Sequence, residues 1–267
     1  MRICPIASGS SGNCIYVGSD DTHIIVDCGI SGKRAAAGIN SLDLSMDDIS
    51  GILITHEHAD HISGLGVLAR RYGIPIYTTG LTADAIMNTP GIGRIDADLF
   101  ECISPDNPFL IGDIRIDPLR VSHDAVDPVA YRFESGYSKG AVVTDLGFYN
   151  DYIVERLMGL DVLMLESNHD VNMLQVGPYP YYLKQRILGN KGHLSNENSG
   201  RLLGEILHIC PQFCAFVWKS LHSLSYQPFL TEHQGSFLPA AESAVQRNPP
   251  ENRRGNFLYP MKRSLPV

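Results

Sequence analysis

The stretch Gly51-Ile52-Leu53-Ile54-Thr55-His56-Glu57-His58-Ala59-Asp60-His61 decides how the rest of this 267-residue chain is read. Its apolar start, Gly51 to Ile54, reads as a buried strand, and the polar cluster behind it as a loop where side chains converge on a ligand. Ile62, Leu65, Leu68 and Ala69 recur at helical spacing, so the cluster lies between the end of a strand and the start of a helix. His56 and His58 stand two residues apart in a turn and can face one cation, while Asp60 and His61 follow closely enough to serve a second. Imidazole and carboxylate together suit zinc, and also manganese or iron. A plain histidine-rich loop is the alternative, but three His and one Asp over residues 56–61 have no evident structural task there. The spacing is H-x-H-x-D-H in a loop, which differs from the helical H-E-x-x-H zinc signature.

The composition allows one large α/β domain. Hydrophobic residues make up 44% of the chain, enough for a sizeable core. No apolar tract approaches the roughly 18 residues that a spanning helix needs. Met1 to Ser11 lack the basic and apolar regions of an export signal, so a cytoplasmic protein is expected. The six cysteines Cys4, Cys14, Cys28, Cys102, Cys210 and Cys214 lack C-x-x-C pairing and read as reduced core residues. A net charge of -8 opposes long-range attraction to nucleic acid, so a nuclease would need a local basic patch. Candidates are Lys33, Arg34, Arg70, Arg71, Lys184, Arg186, Lys191 and Arg201, each singly better read as a solvated charge.

Short apolar runs at 2–6, 14–18 and 22–27 read as a β meander. Ser8 to Asn13 joins the first two as a turn, with a backbone cradle for an anion as the less favoured reading. A helix is expected over 31–39. Alternating strands and helices follow from 62 to 119, with strands at Ile74 to Thr78, 98–103, 108–111 and 114–119 and a helix over Thr82 to Met87. Strands at Gly140 to Thr144 and 161–166, and helices near 149–158, 180–188 and 198–207, complete the pattern. Meanders in front of alternating elements point to a layered α/β sandwich. No dinucleotide or P-loop fingerprint is present.

His56 to His61 resembles the first metal-binding signature of the metallo-β-lactamase superfamily, and the resemblance continues over roughly the first four fifths of the chain. Within it the likeness is to the nuclease-like YycJ/WalJ type. That narrower match rests on Ala7-Ser8-Gly9-Ser10-Ser11-Gly12-Asn13, Val26-Asp27-Cys28-Gly29, Thr144-Asp145-Leu146-Gly147, Glu166-Ser167-Asn168-His169-Asp170 and Gly192-His193-Leu194-Ser195-Asn196-Glu197-Asn198. The resemblance implies an αββα four-layer sandwich over 1–217, with a divergent tail from 218 to 267. It implies two divalent ions, zinc or manganese, held by His56, His58, Asp60, His61, His123 and Asp145. Asp27 would support the metal loop by accepting from a ligating histidine. Asp145, whose alternative is a turn or helix-cap aspartate, would bridge two cations about 3.5 to 4 Å apart. Glu166, His169 and Asp170 would support the site. For His193 two readings stand: a loop residue before a helix capped by Ser195 or Asn198, or a phosphate contact and general acid.

The pattern fails late. The resemblance calls for another histidine from a late strand, in a second Gly-His-Leu-Ser segment, where this chain has Trp218-Lys219-Ser220-Leu221-His222-Ser223-Leu224-Ser225. His222 stands in different surroundings. The proline-rich tail reads as loosely ordered and as either a divergent extension or a changed reading frame, the second being favoured. The function implied is hydrolysis of phosphodiesters, DNA or RNA, by metal-bound hydroxide, with Asp60 and His193 catalytic and nucleic acid as substrate. The alternatives are a thioester, lactone or small phosphodiester hydrolase, and a member impaired by its altered C-terminus.

Overall fold

The computed structural model describes residues 1–209 and 214–219. The first sheet joins an antiparallel meander, β1 (Arg2–Ala7), β2 (Cys14–Gly18) and β3 (His23–Val26), to three parallel strands, β4 (Ile49–Leu53), β5 (Ile76–Thr79) and β6 (Phe100–Ile103). The second has the order β12-β11-β10-β9-β8-β7. In it β7 (Phe109–Ile111), β8 (Ile114–Arg120), β9 (Val129–Ser135) and β10 (Ser138–Val143) are antiparallel, and β11 (Val162–Ser167) and β12 (Cys214–Lys219) continue parallel.

Strand periodicity of two sorts the side chains into three apolar layers. Ile15, Val17, Ile24 and Val26 point between the sheets and meet Tyr131, Phe133, Val142 and Met164. The alternate residues Cys14, Tyr16 and Ile25 face outward into the layer built with α1 (Gly32–Asn40), α3 (Leu65–Tyr72) and α4 (Gly80–Met87). On the other side Ala141, Val143, Leu163 and Leu165 face α5 (Asp151–Arg156) and α8 (Asn196–Ile209). The order is helix, sheet, sheet, helix, the sandwich expected. Among the described residues no helix is long and apolar enough to cross a membrane.

Some local expectations change. Asp60 and His61 sit on a helical turn, α2 (Ala59–Ile62), separated from α3 by Ser63 and Gly64. Strand β9 and helix α6 (Val171–Val176) were not anticipated. Cys14 and Cys28 are buried free thiols, whereas Cys102 is exposed on edge strand β6. Cys210, His222 and the tail from 220 onward lie outside the described residues.

One glycine locks the site to the first sheet. Gly29 donates its N–H to Asn13 O at 2.7 Å, and Asn13 donates to Asp60 O at 2.7 Å. A Cβ on Gly29 would stand 1.6 Å from Asp60 O, a backbone atom. Gly29→Ala is expected to cost at least the 1–3 kcal/mol or so of an overpacked core and to displace α2. An unchanged urea midpoint would contradict this packing.

Candidate metal centre

The loops after β4, β8, β10 and β11 bring their polar residues together at one rim of the sandwich. His56 Nε2 lies 3.0 Å from His58 Nδ1, which lies 3.2 Å from His123 Nε2. The remaining nitrogens of two of these rings are occupied. His123 Nδ1 donates to Gly192 O at 2.9 Å. Thr55 Oγ1 gives its own hydrogen to Asp27, so at 3.0 Å it accepts from His56 Nδ1. These bonds turn the Nε2 lone pairs of His56 and His123 toward the common point, as ligating histidines require. Burial and the neighbouring His61 hold the His56 pKa well below its ordinary value, and burial pushes that of His123 down to about 4. Both rings are therefore neutral at neutral pH, the form that binds metal.

A second group adjoins the first. His61 Nε2 is 2.6 Å from Asp145 Oδ2, and the same oxygen is 3.5 Å from His56 Nε2, so Asp145 stands between the two groups. Asp60 Oδ2 is 3.7 Å from His61 Nε2, on the open side. Asp27 accepts from His61 Nδ1 at 2.7 Å. Burial opposes charge on His61, but Asp27 and Asp145 outweigh it and raise the pKa well above the ordinary value. Asp145 is likewise disfavoured by burial and yet held well below the usual carboxylate range by His61 and His193. Asp27 and Asp145 both adopt the left-handed backbone, at φ 60° and 50°, a region aspartate tolerates better than most residues.

A third group backs these two. His193 Nδ1 lies 3.2 Å from Asp145 Oδ1 and 3.1 Å from Glu166 Oε2. The Glu166 carboxylate also accepts N–H bonds from Asp145 at 2.9 Å and Leu194 at 2.6 Å, so one buried side chain fixes both loops. Burial pushes Glu166 up to about 7. Burial also opposes charge on His193, but its bonds to Asp145 and Glu166 prevail and lift it to about 10.

The structure thus brings His56, His58, Asp60, His61, His123, Asp145 and His193 together, with Asp27 and Glu166 in support. Among the described residues, three sets of donors lie within 4.8 Å of one another: His56, His58 and His123; His56, His61 and Asp145; Asp145, Glu166 and His193. Converging neutral imidazoles beside a shared carboxylate fit a divalent cation. Asp170 serves instead as N-cap of α6, accepting from Met173 N–H at 2.9 Å. His169 is buried, neither ring nitrogen has a partner among the described residues, and burial brings its pKa down to about 4. Ser195 caps α8 by accepting from Asn198 N–H at 3.2 Å, and Asn198 lies inside the helix.

Three residues were missed by sequence reasoning. Asn13 Nδ2 is 3.0 Å from His61 Nε2, and its position at the end of the Ser-Gly loop was the available signal. Thr55 bridges Asp27 and His56 from the residue just before the first histidine. Asp124 Oδ1 stands 3.3 Å from His123 Nε2 and 3.8 Å from His58 Nε2, and pairs with Arg186.

Residues 7–182 match the family model of the metallo-beta-lactamase superfamily. This chain belongs to that superfamily and is a metal-dependent hydrolase. It is 42% identical over 207 residues to exodeoxyribonuclease YycJ of Bacillus anthracis, with 78% of each chain covered. Over 198 residues it is 39% identical to exodeoxyribonuclease WalJ of Streptococcus pneumoniae serotype 2 (strain D39), with 74% of each covered. Within the superfamily it is of the YycJ/WalJ type. Among solved structures, a diphosphatase of the PhnP family superposes with a TM-score of 0.59 at 19% identity, covering 82% of this chain and 86% of its own. Human tRNase Z, short form, gives 0.60 at 16%, covering 82% and 93%. These two likenesses show the fold alone.

Proposed function

We propose that the protein is a dinuclear exodeoxyribonuclease of the cytoplasm, cleaving phosphodiesters at DNA ends. The observation that carries the reading is the place of Asp145, one carboxylate between the His56, His58 and His123 group and the His61 and Asp60 group. The first group would hold one ion, the second another, with Asp145 shared; both would be zinc or manganese. The DNA specificity rests on relatives named exodeoxyribonucleases. When bound, such ions supply Lewis acidity at phosphorus and activate water.

The chain's own residues divide the remaining work. Asp60, beside His61 on the open side, orients the attacking water. Asp27, Thr55 and Gly192 O hold the imidazoles in register. His193, its Nδ1 held between Glu166 and Asp145, carries a proton at neutral pH and offers Nε2 to the departing oxygen, the geometry of a general acid.

Elemental analysis of protein prepared with manganese or zinc is expected to give about two ions per chain; a content below one would end the dinuclear reading. Affinity for the second ion should rise with pH, because the proton held on His61 by Asp27 and Asp145 must leave first. Calorimetric titration in mildly acidic and mildly alkaline buffer checks that sign. End-labelled DNA should shorten with the wild-type protein and persist with Asp60→Ala. Equal behaviour of the two would withdraw the nuclease assignment.

A further inference from the structure

Between β11 and α8, the helical stretch at 171–188 is a region that the metal centre does not account for. Helix α6 buries only Leu174, and α7 (Tyr181–Leu188) buries nothing. Val176 is 86% exposed, Tyr181 77% and Tyr182 74%, with Met173 and Tyr179 also at the surface. Apolar and aromatic surface gathered in this way marks an interaction site. Charge is equally uneven. In a chain of net charge -8, residues 171–196 contain no Asp or Glu, and their Lys and Arg residues are Lys184, Arg186 and Lys191.

The hairpin of α6 and α7 is tied to the metal centre. Arg186 pairs with Asp124, whose carboxylate lies beside His58 and His123. Ser122 Oγ donates to Asn190 O at 2.8 Å, and His193 N–H to Ile187 O at 3.0 Å. Tyr182 and Arg186 are four residues apart and so share one face of α7. They stand one turn, about 5.4 Å, apart along its axis. An exposed aromatic ring, a cation and the imidazole cluster therefore follow one another along a single path.

We propose that this hairpin is a stacking surface for unpaired bases at the end of a DNA strand. Tyr181 and Tyr182 take the base faces, while Lys184, Arg186 and Lys191 meet the phosphates and lead the terminal phosphodiester to the metal centre. Aromatic rings interleaved with cations are the chemistry of sequence-tolerant single-strand binding. A second copy of the chain would set the same cations against each other, which disfavours self-association here. The proposal rests on the phosphodiesterase reading.

The test is fluorescence anisotropy of a labelled phosphorothioate single strand, which resists cleavage, titrated with the full-length protein. Tyr181→Ala with Tyr182→Ala is expected to weaken binding by at least about 5-fold, the low end of a single base–aromatic stack. The Tyr→Phe pair should bind as wild type, since the ring face suffices. Tyr137→Ala, at another exposed tyrosine in the β9–β10 turn, should have no effect. Equal binding by the Ala pair, loss with the Phe pair, absence of binding by wild type, or a change in sedimenting mass in place of affinity would each overturn the proposal. Cleavage of bis(p-nitrophenyl) phosphate by wild type judges the phosphodiesterase reading separately. Cleavage with unchanged Ala-pair binding removes the stacking surface alone. No cleavage with tyrosine-dependent binding removes the activity and keeps the surface.

Discussion

A His193→Ala protein is expected to hydrolyse DNA with kcat lowered by about 10²- to 10⁴-fold, the usual contribution of a positioned general acid. The geometry behind this is specific. Glu166 and Asp145 both face Nδ1, so Nε2 is the nitrogen left to reach a leaving oxygen. The leaving group offers a control. A nitrophenolate departs without needing a proton, so hydrolysis of bis(p-nitrophenyl) phosphate should fall far less than that of DNA. Metal content should be retained, because Asp145 keeps its contact with His61 and its N–H bond to Glu166. Equal losses on both substrates with metal in place would mean that His193 only positions Asp145.

The second large effect is expected at Asp27. Its carboxylate is fully buried and accepts from Thr55 N–H at 2.9 Å, from Thr55 Oγ1–H, and from His61 Nδ1 at 2.7 Å. Asp27→Ala removes the carboxylate that His61 Nδ1 donates to and leaves Asp145 as its counter-charge in the interior, a change worth up to about 3–5 kcal/mol of stability. It also frees the ring to rotate, which should weaken metal binding by about 10- to 100-fold. Asp27→Asn should restore much of the stability, since asparagine tolerates the left-handed backbone at this position and still accepts from Thr55. Urea unfolding and competitive metal titration give the two numbers. Stability and affinity both within experimental error of wild type would refute the supporting role.

Much of this site was legible because its residues follow apolar strands directly. His56, His58, Asp60 and His61 lie just beyond β4, and His123, Asp145 and Glu166 at or beyond the ends of β8, β10 and β11. Hydrophobic runs ending in metal-capable groups are a local pattern, and one sequence displays it. Asn13 was hidden because its importance depends on Asp60, 47 residues away, whose backbone it meets. Strand β9 escaped because Val129 to Ser135 follows Asp127-Pro128, a turn signal that masked the alternation behind it. Asp170 misled for the opposite reason: an acid beside a histidine looks like support for a metal site, but one residue before a helix its shorter task is to accept an N–H. Helix α6, six residues before a Gly-Pro-Tyr-Pro run, is too short for helical periodicity to announce.

The donor set is drawn from both layers of the sandwich. His56, His58 and His61 come from the first sheet's loops, while His123, Asp145 and His193 come from the second's. An ion held by His58 and His123 would thus tie together points 65 residues apart in sequence. It would act across the seam as a removable staple, as a disulfide would in an oxidising compartment. At a free-ion concentration of about 100 times Kd that staple is worth about 2.7 kcal/mol. The melting temperature then doubles as a gauge of loading: a chelator should lower it, and restored metal should raise it again.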